Sequence, residues 1–211
     1  MTGCDYRMRD DGTVGLNVGG WYVGADRETI STVLGSCVAV CLYDPEVMVG
    51  GMNHILLPGD YDMKRITDAA RYGVNAMEVL INGMMKFGCQ RKRLLAKAFG
   101  GAALLAALSE MFGMGSRNVA FVRDFLAAEK IPLIRSDFGG DRARIVLLDT
   151  SSNEVFLKRI QPMYQRKVSI AEERNCLLYR RKLSEEETQV DLFVSDPLDK
   201  GIEPCYNGRK R

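Results

Sequence analysis

The chain has 211 residues, 46% of them hydrophobic, and its 29 basic and 27 acidic side chains give a formal net charge of +2. This length fits one domain with an extension, or two small domains, and provides a core that needs no disulfides to fold. The near-neutral charge argues against a protein that binds nucleic acid through a basic surface. The basic end, residues 207–211, is interpreted as a solvated terminus.

The sequence also argues against export and membrane insertion. No stretch near the N-terminus combines basic residues, an apolar segment and a small-residue cleavage site. The longest uncharged run, residues 29–43, is shorter than the roughly 20 apolar residues of a membrane-spanning helix. We therefore expect a cytoplasmic protein whose six cysteines are thiols, and their irregular spacing argues against a zinc site.

The first part of the chain predicts short strands. Residues 1–12 are polar and irregular, so a flexible N-terminus is expected. Residues 13–25 mix β-branched and aromatic side chains with glycines, which predicts one or two short strands joined at Gly19-Gly20.

The stretch from Ser31 to Cys41 predicts two strands separated by a tight turn. Gly35-Ser36 interrupts the apolar run, Cys37 follows the break directly, and β-branched residues resume after it. Residues 47–57 predict the next strand, which carries His54, the only histidine of the chain. The pattern therefore places Cys37 and His54 on consecutive strands.

A helical period replaces the strand period further along the chain. Val74, Met77, Leu80 (or Ile81) and Met84 recur at the spacing of one helix face. The elements predicted in this half are helices at 68–86, 102–112 and 116–130 and strands at 94–99, 133–136, 143–148 and 154–160. Together the elements predict an α/β domain in which helices pack against mixed β-sheets.

The composition divides the chain into three segments. They are the flexible N-terminus at 1–12, a single compact domain at 13–162, and a charged extension at 163–211. The extension has only a weak helical pattern and a high content of Arg, Lys and Glu, so we expect it to be partly helical or disordered.

Cys37 and His54 together suggest a thiol hydrolase. A cysteine attacks an acyl carbon as the thiolate, so it needs a base, and His54 would take the thiol proton and later protonate the leaving amine. Gly35 and Ser36 allow a tight turn whose backbone N–H groups would stabilise the oxyanion. A second interpretation remains open at this point, in which Cys37 is a small buried apolar side chain and His54 a structural histidine.

Three other features suggest weaker alternatives. Cys37 and Cys41 lie on the same side of a strand, which allows a redox pair, although Cys41 also fits as a buried core residue. Phe99–Ala102 lies where phosphate-binding loops occur but lacks their lysine and full glycine spacing. Asp137–Gly140 contains the kinase-like triplet Asp-Phe-Gly without any other kinase element, so it is interpreted as a turn that walls the site.

Six motifs, in order, resemble those of a known family. The motifs are Gly35–Val40, Asn53–Pro58, Arg71–Glu78, Lys97–Ala102, Gly115–Asn118 and Asp137–Gly140. Over roughly residues 15–160 the chain resembles the CheD family, the bacterial chemoreceptor glutamine deamidases. The resemblance implies a cysteine-hydrolase-like domain that converts glutamines in the cytoplasmic helices of methyl-accepting chemotaxis receptors to glutamate and releases ammonia.

The resemblance also implies the site residues. The nucleophile of the family maps onto Cys37, which would form a thioester, and its histidine maps onto His54. The third member is a threonine hydroxyl before the turn. Counting back six residues from Cys37 reaches Ser31, whereas Thr32 lies one place off, and only one of the two can serve because neighbouring strand residues face opposite sides. Ser31 is preferred by count, and no metal or organic cofactor is implied.

Two other functions remain as alternatives. Some members of the family bind a CheC-type phosphatase, so a regulatory binding module with secondary enzymatic activity is one of them. An unrelated cysteine peptidase is the other, and it would cleave peptide backbones instead of side-chain amides.

Overall fold

The computed structural model describes residues 6–57, 68–104 and 113–187. Three helices lie within this part of the chain: α1 (Asp68–Lys86), α2 (Met114–Ala128) and α3 (Pro162–Glu187), together with a short 3-10 turn at Arg91–Arg93. The strands are β1 (Tyr6–Met8), β2 (Val14–Leu16), β3 (Trp21–Gly24), β4 (Thr29–Leu34), β5 (Val38–Asp44), β6 (Val49–Ile55), β7 (Leu95–Gly100), β8 (Leu133–Phe138), β9 (Arg144–Asp149) and β10 (Val155–Arg159).

The strands form two five-stranded mixed sheets. The first sheet has the order β1-β2-β4-β9-β10, and the second has the order β3-β6-β5-β7-β8. Each sheet contains one parallel pair, β2 with β4 in the first and β7 with β8 in the second, and the other pairs are antiparallel. This arrangement confirms the predicted α/β class with mixed sheets.

The second sheet is the middle layer of the molecule, and β5 shows why. All seven residues of β5 are buried. Val38, Val40 and Leu42 pack in one apolar cluster with residues of α1 and α2, whereas Ala39 and Cys41 pack in a second cluster with residues of the first sheet. Side chains alternate between the faces of a strand, so β5 has helices on one face and the first sheet on the other.

The turn between β4 and β5 connects the two sheets. β4 belongs to the first sheet, where it lies between β2 and β9, and β5 is the central strand of the second. Residues 35–37 therefore carry the chain from one sheet to the other. β6 pairs with β5, so the residues of β4, β5 and β6 meet between the two layers.

Several local expectations differ from the structure. Residues 6–8, expected to be flexible, form β1 and pair with β2. The helix predicted to start at 116 begins at Met114, and Val74, predicted on the buried face of α1, is 42% exposed. Residues 101–104 have no regular structure, and the rest of the predicted 102–112 helix lies outside the described residues.

The helix α3 forms the first part of the charged extension. Its first turns are held to the loop before β9, because the Gln165 side chain accepts a hydrogen bond from Ala143 N and donates one to Asp141 O. Ser169, one turn further, is 3% exposed. Residues 188–211, with the basic end, lie outside the described part. None of the helices described is long and apolar enough to cross a membrane.

Candidate active site

The turn that carries Cys37 is anchored at all three of its carbonyl groups. Gly35 O accepts a hydrogen bond from Ala102 N at 2.7 Å, and Cys37 O accepts one from Gly101 N at 2.8 Å. Ser36 O, between them, accepts a hydrogen bond from a side chain of α2 at 2.8 Å. The peptide planes of the turn are thus fixed from outside, which sets the position of the Cys37 side chain.

Gly100 and Gly101 are required for this anchoring. Gly100 has φ +123°, and a Cβ atom built on it would lie 2.1 Å from Cys37 O. Only a residue without a side chain allows such a close approach at that backbone angle. The motif at Phe99–Ala102, which lies where phosphate-binding loops occur, therefore packs against the turn at residues 35–37 and holds it in place.

The structure places Cys37, the residue before β5, on the same side of the second sheet as His54 of the neighbouring strand β6. His54 on β6 pairs with Ala39 on β5, and Cys37 precedes Ala39 by two residues. Diagonal positions of this kind on an antiparallel pair lie within reach of each other's side chains. Cys37 is fully buried and His54 is 5% exposed, so the pair lies between the two sheets.

His54 is held in one orientation and one tautomer. Thr32 Oγ1 donates a hydrogen bond to Leu16 O at 3.0 Å and lies 2.8 Å from His54 Nδ1. Because the hydroxyl proton is used on the carbonyl, the hydroxyl oxygen accepts from Nδ1–H. Nε2 is then the unprotonated nitrogen, and it is buried without a partner among the described residues. A lone pair of this kind is available as a base.

Burial keeps His54 neutral. It lowers the pKa of the imidazole from 6.5 to about 4, against an opposing contribution from the carbonyl of Leu16. The resting site therefore holds a neutral imidazole at physiological pH. Burial also raises the pKa of the Cys41 thiol to about 12, which makes Cys41 an unreactive core residue.

Thr32, and not Ser31, contacts His54. Ser31 is 1% exposed and its hydroxyl has no hydrogen-bond partner among the described residues. Neighbouring residues of a strand point to opposite sides, so only one of the two hydroxyls of β4 reaches β6. The hydroxyl beside His54 Nδ1 is therefore that of Thr32, whereas the residue count favours Ser31; the catalytic role of either hydroxyl stays a prediction.

Asn118 connects the turn at residues 35–37 to the segment that follows β6. Its side chain is fully buried, donates to Ser36 O at 2.8 Å and accepts from Leu57 N at 2.9 Å. Ser36 precedes the cysteine, and Leu57 lies three residues after His54. One amide of α2 thus fixes the spacing between the two segments that carry the proposed nucleophile and base.

Sequence reasoning missed this role because the helix predicted at 116–130 places Asn118 in its first turn, where polar side chains are common. The N-cap is Gly113, and Asn118 lies inside the helix. A signal was present: Asn118 occupies the same face as Phe121, Val122 and Phe125, all of them buried. A polar side chain in an apolar stripe must find partners, because burial without hydrogen bonds is costly.

The segment Asp137–Gly140 supports the site from further away. Arg144, 2% exposed, donates to the Asp137 carbonyl and carboxylate and to Gly139 O. Gly139 N in turn donates to Gly100 O. The segment therefore holds Gly100, which packs against the turn at residues 35–37. It does not line the groove described next.

A groove of about 820 Å³ opens onto the site. Gly35, Thr32 and His54 form its floor. Its walls come from three segments, namely Arg7–Asp10, Gly15–Val18 and, on α3, Lys167, Val168 and Ala171. The groove thus lies between the β1–β2 hairpin and α3 and reaches His54.

Comparisons with known proteins identify sequence relatives of this chain. A family model described as CheD chemotactic sensory transduction matches residues 56–159. A probable chemoreceptor glutamine deamidase CheD 2 of Shewanella oneidensis is 43% identical over 167 residues, 75% of this chain and 82% of the relative. A probable chemoreceptor glutamine deamidase CheD 1 of Geobacter sulfurreducens is 45% identical over 68% of this chain and 75% of the relative.

A third relative is more similar over a shorter region. The probable chemoreceptor glutamine deamidase CheD of Caulobacter vibrioides is 50% identical over 135 residues, 64% of this chain and 71% of the relative. The crystal structure of the hypothetical protein YfiH of Bacillus licheniformis covers 60% of each chain with 13% identity and a TM-score of 0.40, too distant for any inference. On the strength of the sequence relatives, the chain belongs to the CheD family.

Proposed function

We propose that this protein is a chemoreceptor glutamine deamidase, which hydrolyses the side-chain amide of selected receptor glutamines to glutamate and ammonia. The names of its relatives give the reaction and the substrate class. The observation that carries the proposal is the buried contact between Thr32 and His54, with Nε2 unpartnered on the face of the sheet that holds Cys37. Because the receptor helices concerned are cytoplasmic, the proposal includes action in the cytoplasm.

The first half of the reaction is acyl transfer to Cys37. His54 Nε2 takes the thiol proton, and the sulfur attacks the carboxamide carbon of the glutamine. Backbone amides near Ser36-Cys37 stabilise the oxyanion, since their peptide planes are fixed by the anchored carbonyls. The imidazolium then gives its proton to the leaving nitrogen, the C–N bond breaks, and ammonia and a thioester result.

The second half is hydrolysis of the thioester. His54 accepts a proton from water, the hydroxide oxygen attacks the acyl carbon, and the C–S bond breaks. The proton returns to the sulfur, so glutamate is released and the resting thiol is restored. In both halves, Thr32 Oγ1 accepts the hydrogen bond from His54 Nδ1–H and keeps Nε2 directed at the reacting atoms.

The test compares two thiols of the same sheet. We expect Cys37→Ala to fold normally and release no ammonia from a co-expressed receptor, because the nucleophile is lost. Cys41→Ala is the matched control, since Cys41 is a buried thiol on the same face and is expected to leave deamidation intact. Mass spectrometry of the receptor detects each amide-to-acid conversion. Wild-type deamidation by Cys37→Ala would remove Cys37 from the mechanism.

The alternative function, a regulatory module that binds a CheC-type phosphatase, stays a prediction from the family resemblance. The same variant separates it from the enzymatic function. If Cys37→Ala restores chemotaxis in a strain that lacks the protein, binding is the essential role, whereas a failure to restore it supports the deamidase.

A further inference from the structure

The groove beside His54 is larger than one glutamine side chain requires. Its volume of about 820 Å³ lies within the range of roughly 300–1,000 Å³ that encloses drug-sized ligands. The groove therefore has room for the residues on either side of the reacting glutamine. Its walls are then in a position to select the sequence around that glutamine.

The walls carry positive charge that is not held in ion pairs among the described residues. Arg7 and Arg9 from the N-terminal hairpin and Lys167 from α3 are exposed and line the groove. No ion pair joins them to any described acidic side chain, whereas Arg91, Arg93, Arg144 and Arg159, away from the groove, are all in ion pairs. One carboxylate, that of Asp10, also lines the groove.

The N-terminal cationic wall is attached to the first sheet, and α3, which carries the other, is bonded to the loop before β9. Arg9 N donates to Thr13 O, and the Arg9 side chain lies against Gly15, where a Cβ atom would be 3.2 Å from its Nε. Gly15 is next to Leu16, whose carbonyl receives the hydroxyl of Thr32. Asp11, whose carboxylate interacts electrostatically with Arg9, accepts a hydrogen bond from Thr13 N and does not line the groove. Arg9 is thus held close to the strand that contacts Thr32, and Arg7 and Lys167 line the same groove.

We propose that this groove selects glutamines whose neighbouring residues in the substrate are acidic. The inference rests on the proposed deamidase function and specifies its substrate as an acidic peptide segment, whose carboxylates contact Arg7, Arg9 and Lys167. Charge complementarity of this kind increases encounter rates and discriminates between partners. It has one further consequence: each deamidation adds a carboxylate to the segment, so conversion of one glutamine favours binding of the next one nearby.

The experiment uses the full chain and two helical peptides. Each peptide contains one glutamine, flanked three and four residues away on both sides by glutamate in the acidic peptide and by serine in the neutral one. Binding is measured with Cys37→Ala by fluorescence anisotropy, and deamidation with the wild type by ammonia release. We expect tighter binding and a lower KM for the acidic peptide, with a preference that weakens as salt rises.

A charge-reversed variant and a matched control locate the effect. In Arg9→Glu/Lys167→Glu we expect the KM for the acidic peptide to rise about tenfold with kcat unchanged, since exposed charges act mainly on binding. Lys92→Glu/Lys158→Glu makes the same change of charge at exposed residues outside the groove and is expected to behave as the wild type. Thermal unfolding of both variants checks that they fold.

The outcomes separate this inference from the proposed function. Equal binding of the two peptides, no binding of either, or equal losses in the groove and control variants would overturn the groove as a selector of acidic segments. Deamidation of both peptides with equal kcat/KM would also overturn it while supporting the deamidase. Preferential binding of the acidic peptide without ammonia from any peptide or receptor would support the groove and count against the deamidase.

Discussion

Thr32 and Ser31 are adjacent buried hydroxyls with different surroundings, and substitution distinguishes them. We expect Thr32→Val to lower kcat about ten- to hundredfold, because the loss of the bond to His54 Nδ1 costs about 1–3 kcal/mol in orientation of the base. Thr32→Ser keeps the hydroxyl and should retain most of the activity. Ser31→Ala is the control and should stay within about twofold of the wild type. A larger loss in Ser31→Ala than in Thr32→Val would reverse the assignment.

Asn118 is expected to act as a positioning residue. Asn118→Ala removes the buried hydrogen bonds to Ser36 O and Leu57 N, and the loss of each costs about 1–3 kcal/mol. We expect a lower free energy of unfolding and a lower kcat with little change in KM, since the groove is untouched. Asn118→Asp keeps the acceptor for Leu57 N and should recover part of the stability.

The control for Asn118 is Ser116→Ala on the same helix. Ser116 is exposed and is not the N-cap. This substitution should change neither stability nor kcat. If Asn118→Ala loses stability but keeps the kcat of the wild type at a temperature where it is folded, the role of Asn118 is structural alone.

At the scale of elements, the sequence predicts where the strands and helices lie along the chain more readily than it predicts which strands pair with one another. The helix predicted at 68–86 matches α1, and the strands predicted around Gly35 match β4 and β5. Local periodicity contains this information. It does not reveal that two strands joined by a three-residue turn belong to different sheets, because strand pairing depends on distant segments of the chain.

The same limitation explains the choice between Ser31 and Thr32. Both residues of β4 are 1% exposed, so no alternation of polar and apolar residues marks the face that meets β6. The sequence singles out Cys37 and His54 as candidates because Cys37 directly follows the Gly35-Ser36 break and His54 is the only histidine of the chain. Asn118 and the glycines behind the turn act through backbone contacts with remote segments, which residue spacing does not encode.

The close approach of Gly100 to the turn at residues 35–37 predicts a large loss of stability on substitution. Gly100→Ala combines a positive φ with a Cβ atom 2.1 Å from Cys37 O, so we expect a loss of stability of more than about 3 kcal/mol. The matched control is Gly88→Ala, which has φ +85° and open space around its Cβ, and should cost about 1–2 kcal/mol from backbone strain alone. Urea denaturation measures both. Equal losses would show that the close approach to Cys37 does not matter.

At the scale of the whole molecule, burial of His54 makes stability depend on pH. The folded protein lowers the pKa of this side chain from 6.5 to about 4. Between these values the unfolded chain binds a proton that the folded protein does not, so stability falls as the pH decreases from 6.5 towards 4. The shift lowers the free energy of unfolding by about 3 kcal/mol at pH 4, and this destabilisation is nearly absent at neutral pH.

Urea denaturation of the wild type and His54→Gln at several pH values isolates this contribution, because glutamine does not titrate. We expect the free energy of unfolding of the wild type to fall relative to the variant by about 3 kcal/mol from pH 7 to pH 4. A difference between the two proteins that is independent of pH would show that His54 titrates normally in the folded state.

The division of the site between two sheets sets the moment at which the protein becomes active during its synthesis. Thr32 comes from the first sheet, whereas His54 comes from the second. β4 has β9 as one of its neighbours, and Thr32 pairs with Val146, which is made long after the residues of the site. A ribosome-bound chain that ends before residue 144 already contains Cys37, His54 and Thr32 but lacks the strand that completes their surroundings. Deamidation is therefore expected to begin only when synthesis of the domain is nearly complete.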